Sequence, residues 1–193
     1  RLCRELATRR RQAAGRLAAD IGAKLQRLGF AQGQMDVRLA ATDPGPRGAD
    51  QAEFGFAPNP GERSLPLRQI ASSGEIARVM LAVKTVLSSA DRVPILIFDE
   101  VDANVGGRTA VQVAAELAAV GTRHQVLCIT HLPQIAAAGR QHFEVVKQIA
   151  AGRTLTTMRR LTEAEREAEI ARMLGAEADS RTALRHAREM LRH

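Results

Sequence analysis

Apolar and polar residues recur along this chain with two periods, and the switches between them outline its elements. Over residues 1–29, Leu2, Leu6, Ala13, Leu17, Ile21, Leu25 and Leu28 follow one another at three-, four- and seven-residue steps. That spacing predicts an amphipathic helix or the end of a coiled coil, with Gly29 as its stop. "MDVRLA" then sets Met35, Val37 and Leu39 against Asp36 and Arg38, the alternation of a half-buried strand. "TDPGPRGADQ", Thr42 to Gln51, reads as a Pro/Gly loop leading to a second strand at "AEFGFAP", so that the two strands form a hairpin or meander. After a further loop, "NPGERSLPL", the stripe Ile76, Val79, Met80, Val83, Val86 and Leu87 predicts a helix that begins just after "ASSGE".

The second half reads as alternating strand and helix. Ile95 to Phe98 is an unbroken apolar run between Pro94 and the acids Asp99 and Glu100, which predicts a strand buried on both faces and ending at its carboxyl edge. A helix from about Arg108 to Val120 and a second buried strand, "QVLCIT", follow, and strand, helix, strand implies a right-handed parallel crossover. "HFEVVKQ" and "RTLTTMRRL", joined across Ala150 to Gly152, read as a final hairpin, and two short helices close the chain. The class is therefore α/β, with parallel buried strands, flanking helices and β-hairpins, and with no internal repeat.

Composition narrows this picture. Of the 193 residues 45% are hydrophobic, 25% charged and 3% aromatic, which describes a globular, helix-rich protein and argues against wholesale disorder. The net charge is +7, and Lys24, Lys84 and Lys147 are the only lysines, so the positive charge is almost entirely arginine. Its densest cluster, Arg9 to Arg11 flanked by Arg1, Arg4 and Arg16, suits either a solvated helix face or contact with phosphates. Cys3 and Cys128 lie far apart without a C-x-x-C or ligand-like His spacing, which indicates neither a disulfide framework nor a zinc site and fits a reducing cytosol. No apolar run approaches the ~20 residues of a membrane span. The Arg-rich start is not a signal peptide, and a chain that opens on Arg1 instead of Met is expected to be a piece of a longer one.

Three segments carry chemistry. An apolar strand ending in Asp99-Glu100 matches a Walker B segment, in which the first acid holds Mg²⁺ and the second polarises the water that attacks a γ-phosphate. Buried strands also end in acids that cap the next helix. Upstream, Ser72, Ser73 and Gly74 open a helix, where small residues and free N–H groups admit a phosphate; a Ser N-cap with Glu75 in the first turn accounts for the same residues without one. Downstream, "ITHLPQIAAAG" puts His131 just past the second buried strand, at the same sheet edge as the acids if the two strands are neighbours.

In that order, signature, Walker B, D-loop ("VDANVGG") and switch His, the chain resembles the ABC ATPase superfamily. The wording of "PLRQIASSGEIARVMLAVKTVL", "PILIFDEVDANVGGR", "CITHLPQIAAAG", "EREAEIARMLGA" and "ALRHAREML" is similar to the RecN family of SMC-like bacterial DNA repair proteins. The resemblance covers essentially the whole chain. It implies that residues 1–29 end a coiled-coil helix entering an ATPase head and that residues 30–193 are the C-terminal lobe of that head. It further implies ATP and Mg²⁺ as cofactors, with Asp99 as metal ligand, Glu100 as general base and His131 at the γ-phosphate. Ser72, Ser73, Gly74 and Glu75 would face ATP on a second head, and Asp102 and Asn104 of the D-loop would run along the partner subunit's site. The implied partners are the N-terminal half of the same protein, a second copy joined through ATP-sandwiched heads, and DNA at a double-strand break, in the cytoplasm at the nucleoid and with no membrane.

Two departures qualify the resemblance. The family signature usually reads Ser-Gly-Gly, and Ser73 adds a side chain where close approach to a phosphate is wanted. No G-x-x-x-x-G-K-S/T exists in the chain, so the phosphate-cradling P-loop must come from the N-terminal half, and the chain alone is expected to be inactive. The alternatives are a lobe of another SMC-like or transporter-type ABC ATPase, or a non-catalytic DNA-binding or dimerisation module on the same fold.

Overall fold

A computed structural model describes residues 2–150, 153–175 and 180–192. They fall into two compact units that divide between Ile129 and Thr130.

The first unit opens with α1 (Leu2–Arg27), as the leucine spacing predicts. Its second half enters the core: Ile21, Leu25 and the following Leu28 are fully buried, while Leu2 and Leu6 stay exposed. Each such buried side chain contributes about 1.5–3 kcal/mol, enough to fix the C-terminal turns of the helix. Two cations add to that anchor, since Lys24 Nζ (2.9 Å) and Arg27 (3.0 Å) both pair with the carboxylate of Glu116, which is only 2% exposed.

An antiparallel sheet follows, with β1 (Gln34–Gly45), β2 (Gly48–Ala57) and the short β3 (Leu65–Pro66) in that spatial order. Here the expected loop from Thr42 to Gln51 is corrected: both strands continue through it, leaving a tight turn at Pro46 and Arg47. Proline cannot donate to a ladder, and the pairing shifts register between Ala41 and Gly45, around Pro44. What holds the arm extended is α1. Arg10 donates to the Arg47 carbonyl (2.8 Å) and reaches the Asp50 carboxylate (3.3 Å). Gly48 has φ +99, and a Cβ there would come within 2.8 Å of Leu6.

The sheet leads through a 3₁₀ turn at Leu67–Gln69 to α2 (Ser73–Leu87), β4 (Ile95–Phe98), α3 (Gly107–Val120) and β5 (Gln125–Cys128). β4 and β5 pair in parallel, Ile95 opposite Gln125 through Phe98 opposite Cys128, so the two strands are the neighbours the sequence implied. A second expectation is corrected, because these strands are not buried on both faces. Leu96 and Phe98 are buried, but Ile95 (48% exposed), Ile97 (69%), Leu127 (46%) and the adjoining Ile129 (62%) leave the other face open. The reason is the size of the sheet: it has two strands, and nothing in this unit among the described residues covers its second face.

The second unit holds α4 (Pro133–Ala138), β6 (Phe143–Ala150), β7 (Arg153–Arg160), α5 (Glu163–Met173) and α6 (Arg181–Leu191). β6 and β7 form the expected hairpin, from Phe143 opposite Arg160 to Ala150 opposite Arg153; its turn at 151–152 lies outside the described residues. The core is small, built on Ile170, Ala171, Ala187 and Ala137 with Leu174, Leu184 and Leu191 packed against them. A capping box between Thr162 and Glu165 starts α5, and Ser180 caps α6. The buried Arg166 ties α5 to the end of α4 by donating to the carbonyls of Ala137 (3.0 Å) and Gly139.

Candidate functional site

β4 delivers Asp99 and Glu100 to solvent at its carboxyl end, where the backbone turns sharply. Glu100 adopts φ 56 and Asn104 φ 58, left-handed conformations uncommon for residues with a side chain. Two short turns link them: Ala103 N–H donates to the Glu100 carbonyl (3.0 Å) and Val105 N–H to the Asp102 carbonyl (3.1 Å). Val101 and Asp102 are thereby drawn inward, at 0% and 3% exposure, while Asn104 remains at the surface. Behind this loop, burial together with the charges of Asp102 and Asp99 pushes the Cys128 thiol up to about 12, so it stays protonated.

The head of α2 packs on the same loop. Ser72, in extended backbone, caps the helix by accepting from Glu75 N–H (3.3 Å), the ordinary N-cap that the sequence allowed. Gly74 is buried, and a Cβ there would stand 2.7 Å from the Ala103 Cβ and 3.1 Å from the Glu100 carbonyl oxygen, so close packing within the chain already demands glycine. Ser73 donates its hydroxyl proton to the carboxylate of Glu100. Two of the predicted residues, Ser73 and Gly74, thus meet the loop that carries Glu100, Asp102 and Asn104, while Ser72 and Glu75 are joined to each other in the first turn of α2. His131 belongs to the second unit, beside Thr130, whose hydroxyl accepts from Leu132 N–H (3.0 Å) ahead of α4.

Sequence reasoning missed Arg78. It lies on α2 at 7% exposure, donates to the carbonyls of Ala103 (2.8 Å) and Val101 (3.5 Å), and sits 5.1 Å over the ring of Phe30. That ring meets Phe56 edge-on at 5.0 Å. Burial pulls the guanidinium below its ordinary value, with Glu75 opposing the shift. The available signal was a lone charge between the apolar positions Ile76 and Val79 on an otherwise inward stripe.

No group of three or more His, Cys, Asp or Glu able to hold a metal exists among the described residues. An exposed Asp99 carboxylate at the end of β4, followed by the exposed carboxylate of Glu100, is a hard oxygen set of low denticity. That fits Mg²⁺, which keeps several waters and takes one or two carboxylates plus substrate phosphates, and it fits poorly a metal needing an all-protein cage.

No family model matches the chain. The DNA repair protein RecN of Treponema pallidum is 42% identical over 196 residues, covering 98% of this chain and 34% of that protein. RecN of Deinococcus radiodurans is 46% identical over 170 residues, covering 88% of the chain and 30% of the relative. The chain thus spans about a third of the length of the curated relatives it matches. Among solved structures, the Smc head domain with a coiled coil and joint from Pyrococcus yayanosii gives a TM-score of 0.55 at 18% identity over 90% of this chain and 28% of that one. A chain solved in work on ATP-driven dimerisation and DNA-stimulated activation of SMC ATPases gives 0.51 at 17% identity, covering 86% of this chain and 95% of that one. The fold is that of SMC ATPase heads, with an N-terminal helix leading into the sheets.

Proposed function

The chain belongs with the RecN DNA repair proteins, which it matches along nearly its whole length, and on that premise we propose that it is the C-terminal lobe of an ATPase head that works only when a P-loop-bearing lobe completes it. One observation carries this reading: a parallel strand tipped by Asp99 and Glu100 stands beside an apolar face, Ile95, Ile97, Leu127 and Ile129, that its own unit leaves open. Exposed aliphatic area of that kind on a sheet is normally covered by another layer. A chain without a Gly-Lys phosphate loop needs such a layer for its chemistry as well.

In the completed head, Asp99 would hold Mg²⁺, which neutralises charge on the phosphate oxygens. Glu100 would accept the proton of the water that attacks the γ-phosphate of ATP, and His131 would donate to that phosphate. The N-terminus of α2, with Ser72, Ser73, Gly74 and Glu75, offers backbone N–H groups and the positive end of a helix dipole to a phosphate held by a second head. Asp102 and Asn104 would run beside the partner's nucleotide. ATP would then clamp two heads together, and hydrolysis would release them. Exposed Arg4, Arg11 and Arg16 on α1 support association with DNA, and on this reading the protein would work in the cytoplasm at the nucleoid.

The test is Glu100→Gln in the full-length protein. Loss of the base should slow hydrolysis by roughly a hundredfold or more while ATP still binds and dimers accumulate. Hydrolysis at the parent rate would remove Glu100 from its assigned role.

A further inference from the structure

Ser73 makes a contact that its place in a phosphate-binding signature does not explain. Its hydroxyl donates to the carboxylate of Glu100, across from the first turn of α2 to the end of β4. The surrounding backbone leaves few other freedoms. The Glu100 carbonyl lies 3.1 Å from where a Gly74 Cβ would stand, and Arg78 grips the Ala103 carbonyl at 2.8 Å, so α2 and the loop are held as one piece. Glu100 itself sits in a left-handed conformation, φ 56, which aims its side chain from a fixed stem. Ser73 adds a side-chain tie between the two, to the exposed Glu100 carboxylate.

We propose that Ser73 is a latch on Glu100, a positioning residue that keeps the carboxylate on α2 until the bond is broken. This rests on the reading of Glu100 as the proton acceptor. A serine hydroxyl has one proton to give, so it can serve the carboxylate or a phosphate oxygen, but not both at once. A phosphate presented to the N-terminus of α2 therefore competes with Glu100 for the same proton, and drawing Ser73 away frees the carboxylate to meet water. Hydrolysis is in this way held back until the signature is engaged. Glycine at this position would offer the phosphate closer approach but could not restrain the base.

The experiment compares Ser73→Ala, Ser73→Gly and Ser73→Thr in the full-length protein by two readouts. Without nucleotide, amide exchange of the loop 99–103 should quicken by about threefold to tenfold in the Ala and Gly variants, the range for losing one modest hydrogen bond. In steady state, kcat should rise by a similar factor, roughly threefold to tenfold, with KM for ATP nearly constant. Thr, which keeps the hydroxyl, should bring both readouts back towards the parent. Unchanged exchange in Ser73→Ala, a fall in its kcat, or a Thr variant that behaves like Ala would each overturn the latch. Parent-rate hydrolysis by Glu100→Gln would instead overturn the role of Glu100, while the exchange comparison would still judge whether Ser73 restrains the loop.

Discussion

Gly74 answers to two demands at one atom. On the proposed reading the helix N-terminus gains from a small residue where a phosphate would approach, and the loop after β4 leaves no room for a Cβ. Gly74→Ala should therefore destabilise the chain by about 1–3 kcal/mol through overpacking, read as a lower urea midpoint with no nucleotide present. An unchanged midpoint would show that Ala103 can yield. Arg78→Met makes the complementary case: it keeps the apolar stem but removes the donors to Ala103 and Val101, and should cost about 2 kcal/mol. Limited proteolysis should then cut first in the loop 99–105; a cleavage pattern identical to the parent would contradict the clamp. Asp99, Glu100 and the small residues at the head of α2 were legible in the sequence because their chemistry is local. Arg78 was not, because an arginine on a helical stripe reads as a solvated charge until the carbonyls it satisfies are brought to it by the fold.

At the scale of elements, the sequence pattern recovered α1, α2, α3, the two closing helices and the two hairpins but not the short α4, and it failed where a neighbouring element decided the outcome. The segment from Thr42 to Gln51 has loop composition, yet Arg10 of α1 draws it into an extended arm. The run Ile95 to Phe98 has the composition of a doubly buried strand, yet half of it faces outward. Ile97→Lys tests what that face is for. With Ile97 already 69% exposed, the isolated chain should lose no more than about 0.5 kcal/mol. Its association with an N-terminal half should weaken tenfold or more, as a buried lysine without a partner would demand; equal affinity by calorimetry would show that the face is not the docking surface.

The helix α5 offers a pH test at the same scale. Glu165 is pulled down from 4.5 to about 2, first by the Thr162 N–H, then by the Thr162 hydroxyl and by Arg159. Because the folded value lies below the ordinary one, the cap stabilises fully above pH 4.5 and is lost as pH falls towards 2. The helical circular dichroism of the parent should exceed that of Glu165→Ala at pH 5, and the two should converge near the bottom of that window. A constant difference throughout would rule out the carboxylate as the source.

For the molecule as a whole, sequence wording carried the assignment further than any physical pattern did. The Asp-Glu tip, the small-residue helix start and His131 are each modest signals, and their order along one chain is what matched a known family. The proposal of a partner lobe starts from the absence of a Gly-Lys loop in the sequence, and the open apolar face of β4 and β5 supports it. The account turns on whether this chain needs that partner to handle nucleotide. Isothermal calorimetry of Mg²⁺-ATP against the chain alone, and against the chain mixed with an N-terminal half bearing the P-loop, measures this directly. The account predicts no measurable heat of binding for the chain by itself and clear binding with Mg²⁺-dependent hydrolysis for the mixture; tight ATP binding by the isolated chain would contradict it.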